Sequence, residues 1–377
     1  MLLQEEERSK QMKIGLLTIY HVPNYGSVLQ TYATQTVLER LGHECIVIQY
    51  NYRNDAFYEK LGSKRDRFKE WQLKYIPFLK SAKIERFRKK YFNFSKAFED
   101  YRELKGYNWD SFDAFVVGSD QVWNTKYVFG DPAFLLEFAP SDKRRISISS
   151  SFAMKTLPME YREIFKKELE RFTALSVREY NGIGIINNDL GIDKPVRVLL
   201  DPTLLLNNKD WLSLIPRSSF KKEKPYILLY LKNYAFDPRP YIFRVIEYYK
   251  NALNADVVVL EGHRELDGLN CPFIDSNRSS VPEFIDLFAN ADLVITSSFH
   301  GTAFALNFAK PLVSVVPDDD GDDRQSSLLR LVGAEECIVK IGKEPSTIKP
   351  CYDTKKVTEA LNNIRVENIN WIKKELQ

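Results

Sequence analysis

Four histidines are spread over 377 residues, and one of them, His300, stands in the run ADLVITSSFHGTAFALNFAKPLVSV (291–315). An apolar strand there ends in Thr296, Ser297 and Ser298. His300, Gly301 and Thr302 then open a helix of small residues. Free backbone N–H groups at a helix start, flanked by hydroxyls, make a cradle for phosphate or another anion. Histidine is the side chain suited to proton transfer near neutral pH. A capping histidine without chemistry is the plain alternative, but its place beside Gly301 at a predicted strand edge favours chemistry. Ser297, Ser298, Gly301 and Thr302 are the candidate anion cradle, and His300 the candidate acid–base group.

Two further corners carry polar side chains. In FDAFVVGSDQVWN (112–124) a buried strand gives way to Ser119, Asp120, Gln121, Trp123 and Asn124. An aromatic ring with amides and a carboxylate suits a sugar, the ring covering C–H faces and the polar groups taking hydroxyls. Equally, Asp120 could cap a helix while Trp123 packs in the core. In YHVPNYGSVLQTYATQTVLERLG (20–42) a strand is followed by Asn24, Tyr25, Gly26 and Ser27 at the start of a helix. That start could receive an anion or sugar hydroxyls, or it could be an ordinary well-capped turn.

These corners need strands and helices to hold them. Apolar runs of strand length alternate with helical patterns, the signature of parallel sheets covered on both faces. Strands are predicted at 13–20, 44–50, 112–120, 145–152, 174–179, 197–201, 226–232, 256–262, 292–298, 311–316 and 336–341. Helices are predicted at 27–41, 82–100, 158–172, 238–253, 281–290, 301–309 and 355–376. The polar, basic stretch 205–225 reads as a linker. The expectation is an α/β protein of two Rossmann-like domains, 12–205 and 206–377, with mainly parallel sheets facing a central cleft. Residues 55–105 would form a basic insertion in the first domain, and 355–376 a C-terminal helix. Ligands would bind where the carboxyl ends of both sheets meet.

The stretches NYGSVLQTYA, VVGSDQVWN, LSVREYNG, LLDPTLLL and SSFHGTAFALNFAKPLVSV, in that order from about Lys13 into the last third of the chain, resemble the motif set of the polysaccharide pyruvyl transferases. The resemblance implies a fold similar to GT-B glycosyltransferases. It also implies transfer of a pyruvyl group from phosphoenolpyruvate to a sugar, usually as a cyclic ketal. The acceptor would be a saccharide of a cell-surface glycan or its lipid-linked precursor. The family's histidine–glycine pair falls on His300 and Gly301. Arg178, Arg278 and Arg324 are candidates for holding the donor's phosphate and carboxylate. His300 would protonate the methylene carbon or assist the leaving phosphate, and Asp120 would orient or deprotonate the acceptor. Asn24, Tyr25, Gly26, Ser27, Ser119, Gln121, Trp123 and Asn124 would line the acceptor side. No metal or cofactor is called for, since arginines can neutralise the donor.

Composition is that of an ordinary globular chain, with 44% hydrophobic and 28% charged residues and a net charge of +3. Nucleic acid is not indicated. The four cysteines form no CxxC pair. The acidic start MLLQEEERSKQ reads as a frayed leader, and a reducing cytoplasm is expected. The run DDDGDDR (318–324) has Ser327 where a calcium loop needs a glutamate. It reads as a solvated loop or a lid that brings in Arg324. Residues 64–90 hold eleven basic and three acidic residues. They form either a solvated helical hairpin or a surface that meets anionic lipid at the inner face of the membrane, aided by Trp71, Phe78 and Phe87. Two other functions stay open: a GT-B glycosyltransferase using a nucleotide sugar, and a non-catalytic sugar-binding component of envelope assembly.

Overall fold

The computed structural model describes residues 11–50, 79–216, 224–232, 235–260, 266–319 and 321–377. In the first half, strands β1 (Lys13–Leu17), β2 (Glu44–Tyr50), β3 (Phe94–Phe98), β4 (Ala114–Val117) and β5 (Arg144–Ser147) form a sheet of order β3-β2-β1-β4-β5. Beside it lie β6 (Leu175–Val177) and β7 (Val196–Val198), joined to it by bridges such as Ile146–Ala174. In the second half, β8 (Tyr226–Tyr230), β9 (Asp256–Val259), β10 (Ile274–Asp275), β11 (Leu293–Thr296), β12 (Leu312–Val316) and β13 (Ile338–Lys340) take the order β10-β9-β8-β11-β12-β13. Every described pairing is parallel. The carboxyl ends of each sheet therefore share one edge, where polar corners can gather.

The longer helices are α1 (Tyr25–Arg40), α2 (Lys80–Tyr91), α3 (Met159–Leu169), α4 (Tyr241–Leu253), α5 (Val281–Asn290), α6 (Phe299–Asn307), α7 (Arg324–Val332) and α8 (Thr354–Glu375). Helix α1 does not present one apolar stripe. Gln30, Thr31, Thr34 and Gln35 are buried with Val28, Leu29 and Val37, because α1 lies between its own sheet and the second half. One hydrophobic core runs through that seam, joining Tyr25, Val28 and Leu29 to Phe284, Phe288 and Phe304. Two further clusters fill the outer faces of the two sheets.

Three expectations change. The helix drawn over 82–100 stops at Tyr91, and Phe94–Phe98 becomes an edge strand beside β2. The linker region is partly core: a capping box at Asn207 starts a short helix, Asn208–Leu212, and Trp211 is fully buried between Tyr32 and Phe304. Phe87 of the basic segment packs against Tyr32, Tyr91 and Phe92 rather than facing outward. Trp71, Phe78 and the rest of 64–78 lie outside the described residues. No described helix is long and apolar enough to cross a membrane.

Helix α8 reaches back to the first half. Arg144 donates to the Glu375 carbonyl at 3.1 Å, and Asn368 Oδ1 accepts from the Leu200 amide at 2.7 Å. Arg365 ties Leu204 to Asn307.

Candidate functional site

The helix starts of α1 and α6 meet across the seam. Asn24 caps α1 by accepting from the Gly26 amide at 3.0 Å, and it also accepts from Tyr230 Oη at 3.3 Å. Ser298 caps α6, and the Ser298 amide is held by Thr296 Oγ1. The His300 ring lies directly on Gly26: a Cβ there would stand 2.1 Å from His300 Nδ1. Only glycine permits that approach. Beside it, the Tyr25 ring stacks on Phe284 with centroids 4.4 Å apart, and its hydroxyl donates to the Ser279 carbonyl at 2.5 Å.

A chain of charge leads from His300 into the first half. Asp201, fully buried, accepts from Ser119 Oγ at 2.8 Å and Arg178 Nη1 at 3.0 Å through Oδ2. Its Oδ1 accepts from the Thr203 amide and hydroxyl. His300 Nε2 stands 3.6 Å from Oδ2, an ion-pair rather than a hydrogen-bond distance. Burial would raise the Asp201 carboxyl, but His300, Arg178 and Thr203 overcome it and hold the carboxyl far below the usual range. The Arg178 guanidinium lies 4.2 Å over the Phe299 ring. Its Nε and Nη2, like His300 Nε2, have no hydrogen-bond partner among the described residues. Asp120 adopts a positive φ of 76° and accepts from Ser27 Oγ at 2.5 Å and the Gln121 amide at 2.9 Å. Sparse backbone conformations of this kind gather at functional sites.

The model of the polysaccharide pyruvyl transferase family matches residues 24–319, a span that includes every corner just described. The chain belongs to this family. Similar solved structures include S. aureus MnaA with UDP, 12% identical, covering 95% of this chain and 97% of that one with a TM-score of 0.52. The Neisseria meningitidis UDP-GlcNAc 2-epimerase bound to UDP-GlcNAc is 11% identical, covering 97% and 94%, with a TM-score of 0.51. At such identities the likeness is one of fold, and that fold is the GT-B arrangement of two parallel α/β halves. No curated protein matches the chain.

Within this member of the polysaccharide pyruvyl transferase family, the sequence-derived residues divide into two groups. His300, Gly26, Ser27, Ser119, Asp120 and Arg178 come together with Asn24 and Tyr25 at the seam. Trp123 does not: it is fully buried among Phe152 and Phe172, and its indole donates to the Phe134 carbonyl, so it is a core residue and offers no face to a sugar. Asn124 caps the turn Thr125–Val128 and donates to Gln121 Oε1. The cradle hydroxyls are largely taken up within the chain. Ser297 bonds both the amide and carbonyl of Lys232, and Thr302 meets Ser314. Gly301 packs on Thr296, where a Cβ would lie 2.2 Å from Oγ1.

Arg324 is buried and grips Asp322 through two nitrogens, at 2.7 and 2.5 Å. Its loop is no solvated lid at this end. Asp323 accepts from the Asn181 amide, and Ser327 from the Tyr180 amide, docking the second half onto the first. Arg278 is exposed and joins none of these contacts. Two charged residues at the seam stood outside the expected site residues. Asp201 was legible as a carboxylate between two leucine runs, which burial forces to find partners, and Glu179 adjoins Arg178.

Proposed function

We propose that this protein moves a pyruvyl group from phosphoenolpyruvate to a sugar of a cell-surface glycan or its lipid-linked precursor, forming a cyclic ketal. The observation that carries the reading is the pair of open, buried Arg178 nitrogens beside an open His300 Nε2, in a chain of this family. Arg178, with one nitrogen fixed by Asp201, would offer the other two to a donor phosphate or carboxylate. In the first step an acceptor hydroxyl oxygen bonds to C2 of the donor and gives up its proton to Asp120. A proton from His300 is added at the methylene carbon, making a methyl group. In the second step the neighbouring hydroxyl oxygen bonds to C2 as the C2–O bond to phosphate breaks; inorganic phosphate departs with the electron pair, and His300, neutral after the first step, takes up that hydroxyl's proton. The loop 20–27 and the Ser119–Gln121 corner would face the acceptor.

This reading places the protein in the cytoplasm. The described part of the basic segment supports a limited membrane role. Lys83 pairs with Glu283, and Arg88 and Lys89 with Glu85, while Arg86, Lys89 and Lys90 are exposed on α2. That face would meet anionic lipid, where a lipid-linked acceptor sits.

The test incubates the purified protein with radiolabelled phosphoenolpyruvate, or with a panel of nucleotide sugars, plus lipid-linked oligosaccharide. Label passing from phosphoenolpyruvate to the glycan supports the reading. Turnover of a nucleotide sugar instead, as the UDP complexes of two fold neighbours suggest, would replace it. His300→Ala should lower turnover by roughly two to four orders of magnitude in a variant that still folds.

A further inference from the structure

Glu179 has no part in the transfer steps, yet it sits beside the open arginine. It stands two residues past β6, next to Arg178, and is fully buried. Its two oxygens are in unlike states. Oε1 accepts from Ser151 Oγ at 3.0 Å, the Phe152 amide at 2.9 Å and the Ala153 amide at 3.0 Å. Oε2 has no hydrogen-bond partner among the described residues and lies 3.9 Å from Arg178 Nε, which has none either. Most buried side-chain polar atoms find a hydrogen-bond partner.

The surrounding charges sharpen the point. Arg178 faces Glu179 from its own strand end. Asp323 and Arg324 act on it from the loop that enters α7, and Asp322 acts on Arg178. Beyond Arg178 stand Asp201 and His300. With every acid ionised, four carboxylates (Glu179, Asp201, Asp322 and Asp323) would oppose two guanidiniums and the His300 imidazole. Such a site repels a multiply charged anion. Asp201 is held ionised by His300 and Arg178, and Asp322 by Arg324. The protons that relieve the excess must sit elsewhere.

We propose that Glu179 is the proton-holding residue of the donor site: Oε2 takes up a proton from solvent as an anion settles on Arg178, so that anion binding and proton uptake are one event. The O–H bond formed on Glu179 leaves the bonds of the donor unchanged. Loss of the Glu179 charge frees the Arg178 charge for the ligand. Burial, opposed by Arg178, already pushes the Glu179 carboxyl up to about 7. Asp323, raised by burial as well, is the rival holder. The proposal rests on the reading of this seam as a donor-anion site.

Calorimetric titration of the full chain separates the possibilities. The probes are sulfate, which does not titrate near neutral pH, and phosphoenolpyruvate, each in two buffers of different ionisation heat at pH 7.5. Wild type should take up a substantial fraction of a proton per anion. Affinity should tighten as pH falls from 8.5 to 6.5, by no more than tenfold per pH unit for one proton. Glu179→Gln keeps an Oε1 acceptor for the three donors, so at pH 7 its Tm should be no lower than wild type, and it should bind sulfate with no uptake. A flat wild-type affinity profile, or no binding of either anion, overturns the proposal without any variant. So does uptake that survives in Glu179→Gln and disappears in Asp323→Asn or His300→Gln. Sulfate-linked uptake without pyruvyl transfer would sink the transferase reading and leave this one standing. Transfer without uptake would do the reverse.

Discussion

Gly26→Ala tests the seam most directly, because it adds one methyl group where the two halves touch. The new Cβ would fall 2.1 Å from His300 Nδ1, 2.5 Å from Cγ and 2.7 Å from Cε1. An ordinary contact needs about 3.4 Å, so ring and backbone must part by about 1.3 Å. The ring is buried and cannot swing into solvent. Two effects on stability oppose each other. Overpacking costs about 1–3 kcal/mol, and alanine in place of helical glycine returns up to about 1 kcal/mol. The net loss should be about 0–2 kcal/mol, a Tm change of a few degrees. Activity should suffer far more, since misplacing a reacting group by about 1 Å costs on the order of 100-fold. Steady-state kcat/KM with labelled phosphoenolpyruvate, alongside scanning calorimetry, reads both. The control is the same change in a His300→Ala background, where the clash is gone. There Gly26→Ala should be neutral or stabilising, giving a coupling of about 1–3 kcal/mol. Wild-type kcat/KM in Gly26→Ala, or an equal stability cost in both backgrounds, would refute the contact as the reason for this glycine.

Trp123→Ala should cost about 3–5 kcal/mol by denaturant unfolding and leave sulfate affinity unchanged, because its ring fills the first half's core. Glu179 has a folded carboxyl raised from 4.5 to about 7, so its contribution to stability is complete below about pH 4.5 and is lost as pH rises through 7. Glu179→Gln should therefore gain on wild type, by on the order of 3 kcal/mol at pH 8.5, with no such gain near pH 4.5; parallel stability–pH curves would contradict the buried charge. Changing Arg86, Lys89 and Lys90 to Gln should weaken sedimentation with phosphatidylglycerol vesicles at low salt, and equal pelleting of variant and wild type would remove lipid from the account of α2.

Most of the scaffold was legible because its strands are continuous apolar runs. β2 occupies 44–50 and α5 occupies 281–290 as their patterns predict. The edge strand Phe94–Phe98 escaped notice because only one of its faces needs covering: FSKAF leaves Lys96 and Ala97 exposed and reads on from a helix. Trp123 shows the limit at a site. A tryptophan beside amides satisfies a sugar-binding surface and a core equally, and only the Phe134 carbonyl and the rings of Phe152 and Phe172 decide. Asp201 and Glu179 read in the sequence as turn-bracing residues, a cleft position being left open for Asp201, and stand outside the expected site residues for a different reason. Their importance lies in partners such as Ser119, Arg178 and His300, which a one-dimensional pattern does not bring together. The Gly26–His300 contact spans most of the chain, and no local propensity encodes it.

That contact also constrains how such a chain can change. A chimaera joining the first half of one relative to the second half of another would inherit two sound sheets. Its two halves would still clash wherever position 26 arrived with a side chain and position 300 with an imidazole. Each half can drift freely in its outer core, yet at this one point it must remain matched to a residue it did not inherit alongside. Recombination within the family is therefore filtered by a single missing methyl group.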